Sequence, residues 1–291
     1  MKISLPIFAL TLLAFFSAPA QDVSVEVVMN QDEFLPNESV PVEVRITNLS
    51  GQTLHLGADP NWLTFDVESA DGFVVVKYAD VPVMGAFDLP SSQMATKRVD
   101  LQPYFDLTQR GRYRIVATVH IKAWGAQVVS PPESFDVISG AKLWSQDFGV
   151  PEPASMTNVP PEVREYTLEE ANYLHSQPEL YVKVTDASES HVFRVVPIGP
   201  MISFSHPEMQ LDRFSNLHVI WQFGAKAFDY SVVNPNGVVI HQAVYDYFDT
   251  RPRLGVDNAG NVVVVGGVPR VNPASLPVVE TPDELPFSTN Q

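Results

Sequence analysis

"LDRFSNLHVIWQ", residues 211 to 222, returns in altered form as "VNPNGVVIHQ" from residue 233 and as "VDNAGNVVVV" from residue 256. Aligned on Asp212, Asn234 and Asp257, the copies carry Ser215, Gly237 and Gly260 at the fourth position. Asp or Asn first and Gly fourth marks a type I turn, and Pro235 takes the favoured second position. The side-chain oxygen of the first residue caps the turn backbone, and glycine accepts a conformation that other residues resist. An apolar run follows each tip, so each copy reads as a hairpin tip and its outgoing strand. A looser copy starts at Asp186, ahead of "SHVFRVVPIG". Residues 178–269 are therefore expected to form a second antiparallel β domain of repeated hairpins.

The same Asp and Asn residues raise the question of calcium. A calcium loop of the EF-hand type needs oxygen ligands at alternate positions. From Asp257 those positions hold Asp257, Ala259 and Asn261; from Asn234 they hold Asn234, Asn236 and Val238. Each series has an apolar member, so the turn reading is expected and no metal is.

Upstream, residues 21–138 read as one β-sandwich. "VSVEVVM" alternates Val23, Val25, Val27 and Met29, and "VPVEVRI" alternates Val40, Val42, Val44 and Ile46. "RYRIVATVHI" and "QVVSPPESFDVI" close the segment. Period-two alternation describes strands with one wet face, and turn signals such as Pro36-Asn37, Ser50-Gly51 and Asp71-Gly72 separate them. Short strands at this spacing predict two packed sheets rather than an α/β fold.

Two stretches carry a resemblance. "FLPNESVPVEVRITNLSG" resembles the first hairpin of bacterial extracytoplasmic immunoglobulin-like domains, the type found in the intracellular proteinase inhibitor of bacilli. "YFDLTQRGRYRIVATV" is similar to their late strand, entered through a corner formed here by Leu107, Gly111 and Tyr113. The resemblance implies an immunoglobulin-like sandwich in which the Tyr113 hydroxyl bonds back to nearby backbone. An inhibitor role would need an exposed reactive loop, which the sequence does not locate. "NLHVIW" is similar to hairpins of sialidase-type and other β-propellers. A blade takes ~40 residues and closure at least ~4 blades, so this region is too short to close alone. The sialidase arginine triad with Tyr and Glu cannot be assembled here.

Between the two β regions, residues 139–177 read as a connector. Pro151, Pro153, Pro160 and Pro161 fix φ and remove donors, so its first half is expected to be extended. "TLEEANYLHS" suggests one short helix, with Thr167 as N-cap and Glu170 at the third helical position. Residues 270–291 form a proline-rich, acidic tail that is expected to lack regular structure.

"MKISLPIFALTLLAFFSAPAQD" opens the chain with Lys2, an apolar stretch and Ala18-Pro19-Ala20, which predicts a signal peptide over residues 1–20. The apolar core is shorter than the ~20 residues of a spanning helix. An exported chain, periplasmic or secreted, is expected, without stable membrane insertion after cleavage. There is no cysteine, which excludes thiol nucleophiles and Cys-zinc sites. Eighteen basic residues face 34 acidic ones, a net charge of −16 that repels phosphate backbones, so nucleic acid is not an expected partner.

Catalytic signatures are sparse. The histidines show no metal-binding spacing, and neither a Gly-x-Ser-x-Gly elbow nor a phosphate-cradling glycine loop occurs. His218 occupies a slot filled by Ile240 and Val263 in the other copies, so it reads as a partly buried histidine with one hydrogen bond. One segment favours recognition. "AVYDYFDTRPRLGVD" sets Tyr245, Tyr247 and Phe248 beside Arg251 and Arg253. With Trp221, these tyrosines and arginines form the candidate ligand-binding set, since aromatics and arginine are enriched at interfaces. The competing reading has them packing the last hairpin and pairing with Asp246, Asp249 and Asp257. The expectation is a non-enzymatic interaction module for an envelope or extracellular protein or glycan, with no catalytic residue and no cofactor. The alternative is a carbohydrate-active enzyme or proteinase inhibitor with a dispersed site.

Overall fold

The computed structural model describes residues 22–151, 162–172 and 177–270. Residues 1–20, read as a signal peptide, and the proline-rich tail beyond Arg270 lie outside the described residues. The chain is mostly β, built from several antiparallel sheets.

The first region holds ten strands: β1 (Val23–Val28), β2 (Glu33–Phe34), β3 (Pro41–Asn48), β4 (Leu54–Leu56), β5 (Leu63–Ser69), β6 (Phe87–Leu89), β7 (Gln93–Asp100), β8 (Gly111–Ile121), β9 (Ala126–Val129) and β10 (Glu133–Val137). One sheet runs β1-β3-β7 and the other β2-β10-β8-β5, with β9 extending the edge of β8 and β4-β6 pairing separately. The alternating residues read from the sequence face inward. Val25, Val27, Val44 and Ile46 from one sheet meet Phe65, Ile115, Ala117 and Phe135 from the other in a single core. "QVVSPPESFDVI" splits into β9 and β10 because Pro131 and Pro132 cannot donate to the ladder. Ser130 bridges the break, its N–H donating to the Ala117 carbonyl at 2.8 Å and its hydroxyl accepting the Ala117 N–H at 3.0 Å. The Tyr113 hydroxyl donates to the Gln109 carbonyl at 2.5 Å, and burial pushes its pKa up to about 12.

The second region begins earlier than expected. A four-stranded meander comprises β11 (Ala141–Gly149), β12 (Val163–Ala171), β13 (Glu179–Asp186) and β14 (Val192–Pro200). A second sheet orders β15 (Glu208–Leu211), β16 (Leu217–Gln222), β17 (Ala227–Val233), β18 (Val239–Asp246) and, after the hairpin β19 (Arg253–Val256) and β20 (Val262–Val265), the short β21 (Val268–Pro269). The two sheets pack face to face: Tyr166, Leu168, Leu180 and Val182 of the meander meet Leu217, Val219, Trp221 and Val233. The other face of the second sheet, with Ile220, Phe228, Tyr230 and Val232, is covered by Leu254 and Val264 of the β19–β20 hairpin.

The connector and its helix are therefore corrected. The segment read as a helix from Thr167 is strand β12, although its residues 173–176 lie outside the described residues. β12 is paired on both edges, with β11 and with β13, and Thr167 sits in its middle with no exposure. Tyr166 and Leu168 bury on one face. Glu165 and Glu169 on the other are held by Lys142 at 3.1 Å and Lys183 at 2.8 Å. The Leu, Glu and Ala residues favour helix only weakly, by tenths of a kcal/mol each, and two flanking strands outweigh that preference.

The repeated motif closes as the sequence implied. Ser215, Gly237 and Gly260 donate their N–H to the Asp212, Asn234 and Asp257 carbonyls at 3.0, 2.8 and 3.0 Å. Oδ1 of the first residue accepts two further backbone N–H groups in every copy. The fourth residue is left-handed, with φ of 61°, 72° and 81°. This is a type I turn followed by a left-handed bulge residue. Asp186 makes a version one residue longer, with Glu189 left-handed and the His191 N–H on Oδ1. The copies differ in surroundings. A Cβ at Gly237 would lie 2.7 Å from the Arg194 Cβ, whereas one at Gly260 meets nothing within 4 Å. Gly260→Val is expected to cost about 1–2 kcal/mol from the left-handed φ alone. Gly237→Val should cost more, and urea unfolding of the two variants gives the order directly; equal costs would mean that Arg194 yields freely.

Candidate functional site

The five candidate residues do not form one surface. Trp221 is 1 % exposed, in the core between the two sheets of the second region, and its indole N–H donates to the Pro200 carbonyl at 2.9 Å. Gly199 makes room for it: a Cβ there would stand 3.2 Å from the Trp221 ring. Tyr245 lies on the opposite face, edge-on to Tyr230 with ring centroids 6.3 Å apart, against the covering hairpin. Strand alternation separates the pair, because Trp221 faces the meander and Tyr245 faces away from it.

Tyr247, Arg251 and Arg253 stay exposed, on and beside the loop between β18 and β19. Phe248 joins them, 77 % exposed. The Tyr247 N–H donates to the Lys226 carbonyl at 2.7 Å, which holds the loop against the β16–β17 turn. The Arg251 guanidinium stands 5.2 Å from the Phe228 ring centroid. Two of the three carboxylates named as pair partners are occupied elsewhere. Asp246 binds Arg270 through both oxygens, and Asp257 caps its own turn. Among the described residues, Arg251, Arg253 and Lys226 form no ion pair. The result is a patch of three cations and two open aromatic rings on an acidic chain.

His218 makes more contacts than the sequence implied. Its Nδ1 lies 2.7 Å from the Tyr230 hydroxyl and its Nε2 3.4 Å from Asp212 Oδ2. An Nε2–H donated to the carboxylate and an Nδ1 accepting the phenol proton satisfy all three groups. Burial holds the imidazole below its usual pKa and pushes Tyr230 up to about 12. A neutral imidazole joined to a neutral phenol in this way braces the first hairpin; neither group is an activated nucleophile.

The sequence reading missed the concave surface. Three adjoining hollows of about 540, 320 and 460 Å³ form a trough at one end of the first sandwich. The first two share Asp59, Trp62, His120 and Lys122, and the last two share His55. Lys122 pairs with Asp59 at 3.2 Å and His55 with Asp88 at 2.5 Å. Trp62 is a wall rather than a stacking platform, since its indole is buried and donates to the Val83 carbonyl at 2.8 Å. Gly57 and Gly85 touch so closely that a Cβ on Gly57 would meet the Gly85 carbonyl. The glycine and the turn residues around Asp59-Pro60 were visible in the sequence; their distance in the chain from His120 hid the trough.

No family model matches the chain, and no curated protein matches it. Among solved structures, the crystal structure of Spo0M, a sporulation control protein from Bacillus subtilis, aligns with 62% of this chain and 90% of its own. The TM-score is 0.31 and the identity 10%. A likeness at that level carries no functional argument.

Proposed function

We propose that this protein is an exported, non-enzymatic interaction module that docks the Tyr247, Phe248, Arg251 and Arg253 patch onto an acidic face of another protein. The observation behind this reading is the absence of an ion pair at Arg251, Arg253 and Lys226 among the described residues, on a chain with net charge −16. Exposed arginine gains little stability when it pairs and is enriched, with Tyr and Phe, where partners bind. The patch lies outside the hollows of the first sandwich, and exposed aromatic rings beside arginines suit a protein partner better than a small ligand, which favours a concave site. Export is supported by the apolar leader and Ala18-Pro19-Ala20. An immunoglobulin-like reading of the first region is supported by β2 running parallel to β10 beside β8 and β5, and by the Tyr113 corner.

The test pairs binding with stability. Mature wild-type chain and an Arg251→Ala/Arg253→Ala variant are immobilised and exposed to native envelope fraction, to polyglutamate and to an acidic polysaccharide. The variant is expected to lose about tenfold or more in capture of an acidic, salt-eluted protein while its melting temperature stays unchanged. A large drop in melting temperature with capture preserved makes the pair structural. Retention of the polysaccharide alone replaces the protein partner with a glycan.

A further inference from the structure

The junction between the two β regions is small and contains a buried carboxylate. Leu35 packs there with Ala171, Tyr181 and Val195, flanked by Ile138 and Val192. Glu38, on the loop between β2 and β3, is 3 % exposed beside them. Its backbone forms an isolated parallel bridge with Val195 of β14. Its Oε2 accepts the Leu35 N–H at 2.7 Å and its Oε1 accepts Gln31 Nε2 at 3.1 Å; the Tyr181 hydroxyl lies 3.3 Å from Oε1, where it donates to the carboxylate and can accept the proton of the neutral acid. One residue thus ties the regions together through both its backbone and its side chain.

Among the described residues Glu38 has no ion pair, and the charged group facing it is Glu179 of β13, which has the same sign. Lys183, two residues along β13 from Tyr181, is engaged by Glu169 at 2.8 Å. Arg194, next to Val195, packs against the Gly237 turn. Glu179 is itself half-buried, and burial raises its pKa.

We propose that Glu38 is a pH-operated latch on this junction, closing the Leu35–Tyr181–Val195 contact when neutral and loosening it when ionised. Burial is the main cause that lifts its pKa from 4.5 to about 7, and its hydrogen bonds offset only part of that. Below the ordinary value, both the open and the closed junction bind the proton, and closure is at full strength. Between that value and about 7 the open form has already released its proton while the closed form retains it, so rising pH favours opening. The opening constant increases by up to about tenfold per pH unit in this window and levels off above it.

Amide hydrogen exchange on the full chain, corrected for the intrinsic pH dependence of exchange, reads the latch at the Glu38 and Ile138 amides. Their carbonyl partners are Leu35 and Phe34. Protection at both is expected to fall by tenfold or more between pH 5 and pH 8 in the wild type. Glu38→Gln keeps the shape and the acceptor for Leu35 without a titrating group, and should show the same protection at both pH values. Asp229→Asn is the control: burial lifts the Asp229 pKa to about 6, but its carboxylate faces Gly199 of β14 and is not among the groups acting on Glu38, so its removal should leave the Glu38 effect in place. Flat wild-type protection, or an unchanged pH response in Glu38→Gln, overturns the latch. If Glu38→Gln does not fold, the wild-type profile together with Asp229→Asn decides.

Discussion

Replacing Trp221 with Ala is expected to lower the stability of the protein by about 3–5 kcal/mol. The side chain fills the space between the two sheets of the second region, and its N–H satisfies the Pro200 carbonyl. Removal leaves a cavity and takes the donor from the Pro200 carbonyl, and β14 and β16 cannot collapse onto the space without breaking their ladders. Urea unfolding followed by circular dichroism measures the loss. A change within about 0.5 kcal/mol, the usual cost at a surface position, would return Trp221 to the list of ligand-contacting residues.

Tyr166→Ala should cost a similar amount, about 3–5 kcal/mol. Tyr166 is fully buried and stacks on Phe148 with ring centroids 4.1 Å apart. Its hydroxyl lies 3.1 Å from the Ser215 carbonyl and 3.2 Å from the Val233 carbonyl, at the feet of two of the repeated turns. Tyr166→Phe separates the two contributions, since it keeps the ring and removes only the hydroxyl. It should cost about 1–3 kcal/mol, the penalty of a buried carbonyl deprived of a donor. Arg164 adds to the same grip, its guanidinium donating to the Pro235 carbonyl at 2.8 Å and to Asn236 Oδ1 at 3.0 Å. A loosely docked connector would tolerate both substitutions with little change in the urea midpoint.

These two residues show where local reading succeeds and fails. The turns at Asp212, Asn234 and Asp257 were legible because every group that closes them lies within five residues, so short-range sequence contains the whole hydrogen-bond set. The first sandwich was legible because alternation of Val and Ile states which face of each strand is dry. β12 was not. "TLEEANYLHS" has residues that suit a helix, and the strands that make it a strand, β11 and β13, pair with it from either side. Trp221 was misplaced for a related reason: an aromatic residue beside a polar turn looks the same whether its strand face meets water or another sheet.

The candidate site divides along the same line. Composition alone picked out Tyr247, Arg251 and Arg253, and they are exposed. Whether the arginines were paired was open until Asp246 was seen on Arg270 and Asp257 on its own turn. The trough of the first sandwich and the Glu38 junction each join residues far apart in the chain, His55 with His120 and Glu38 with Tyr181. The sequence by itself determined the strand faces, the turn tips and the lack of thiol chemistry, all of which follow from residue type and short spacing. Tertiary structure decided which sheets stack, which aromatic side chains are dry and which charges are left without a partner. Those depend on desolvation and on distances between segments that no local pattern encodes.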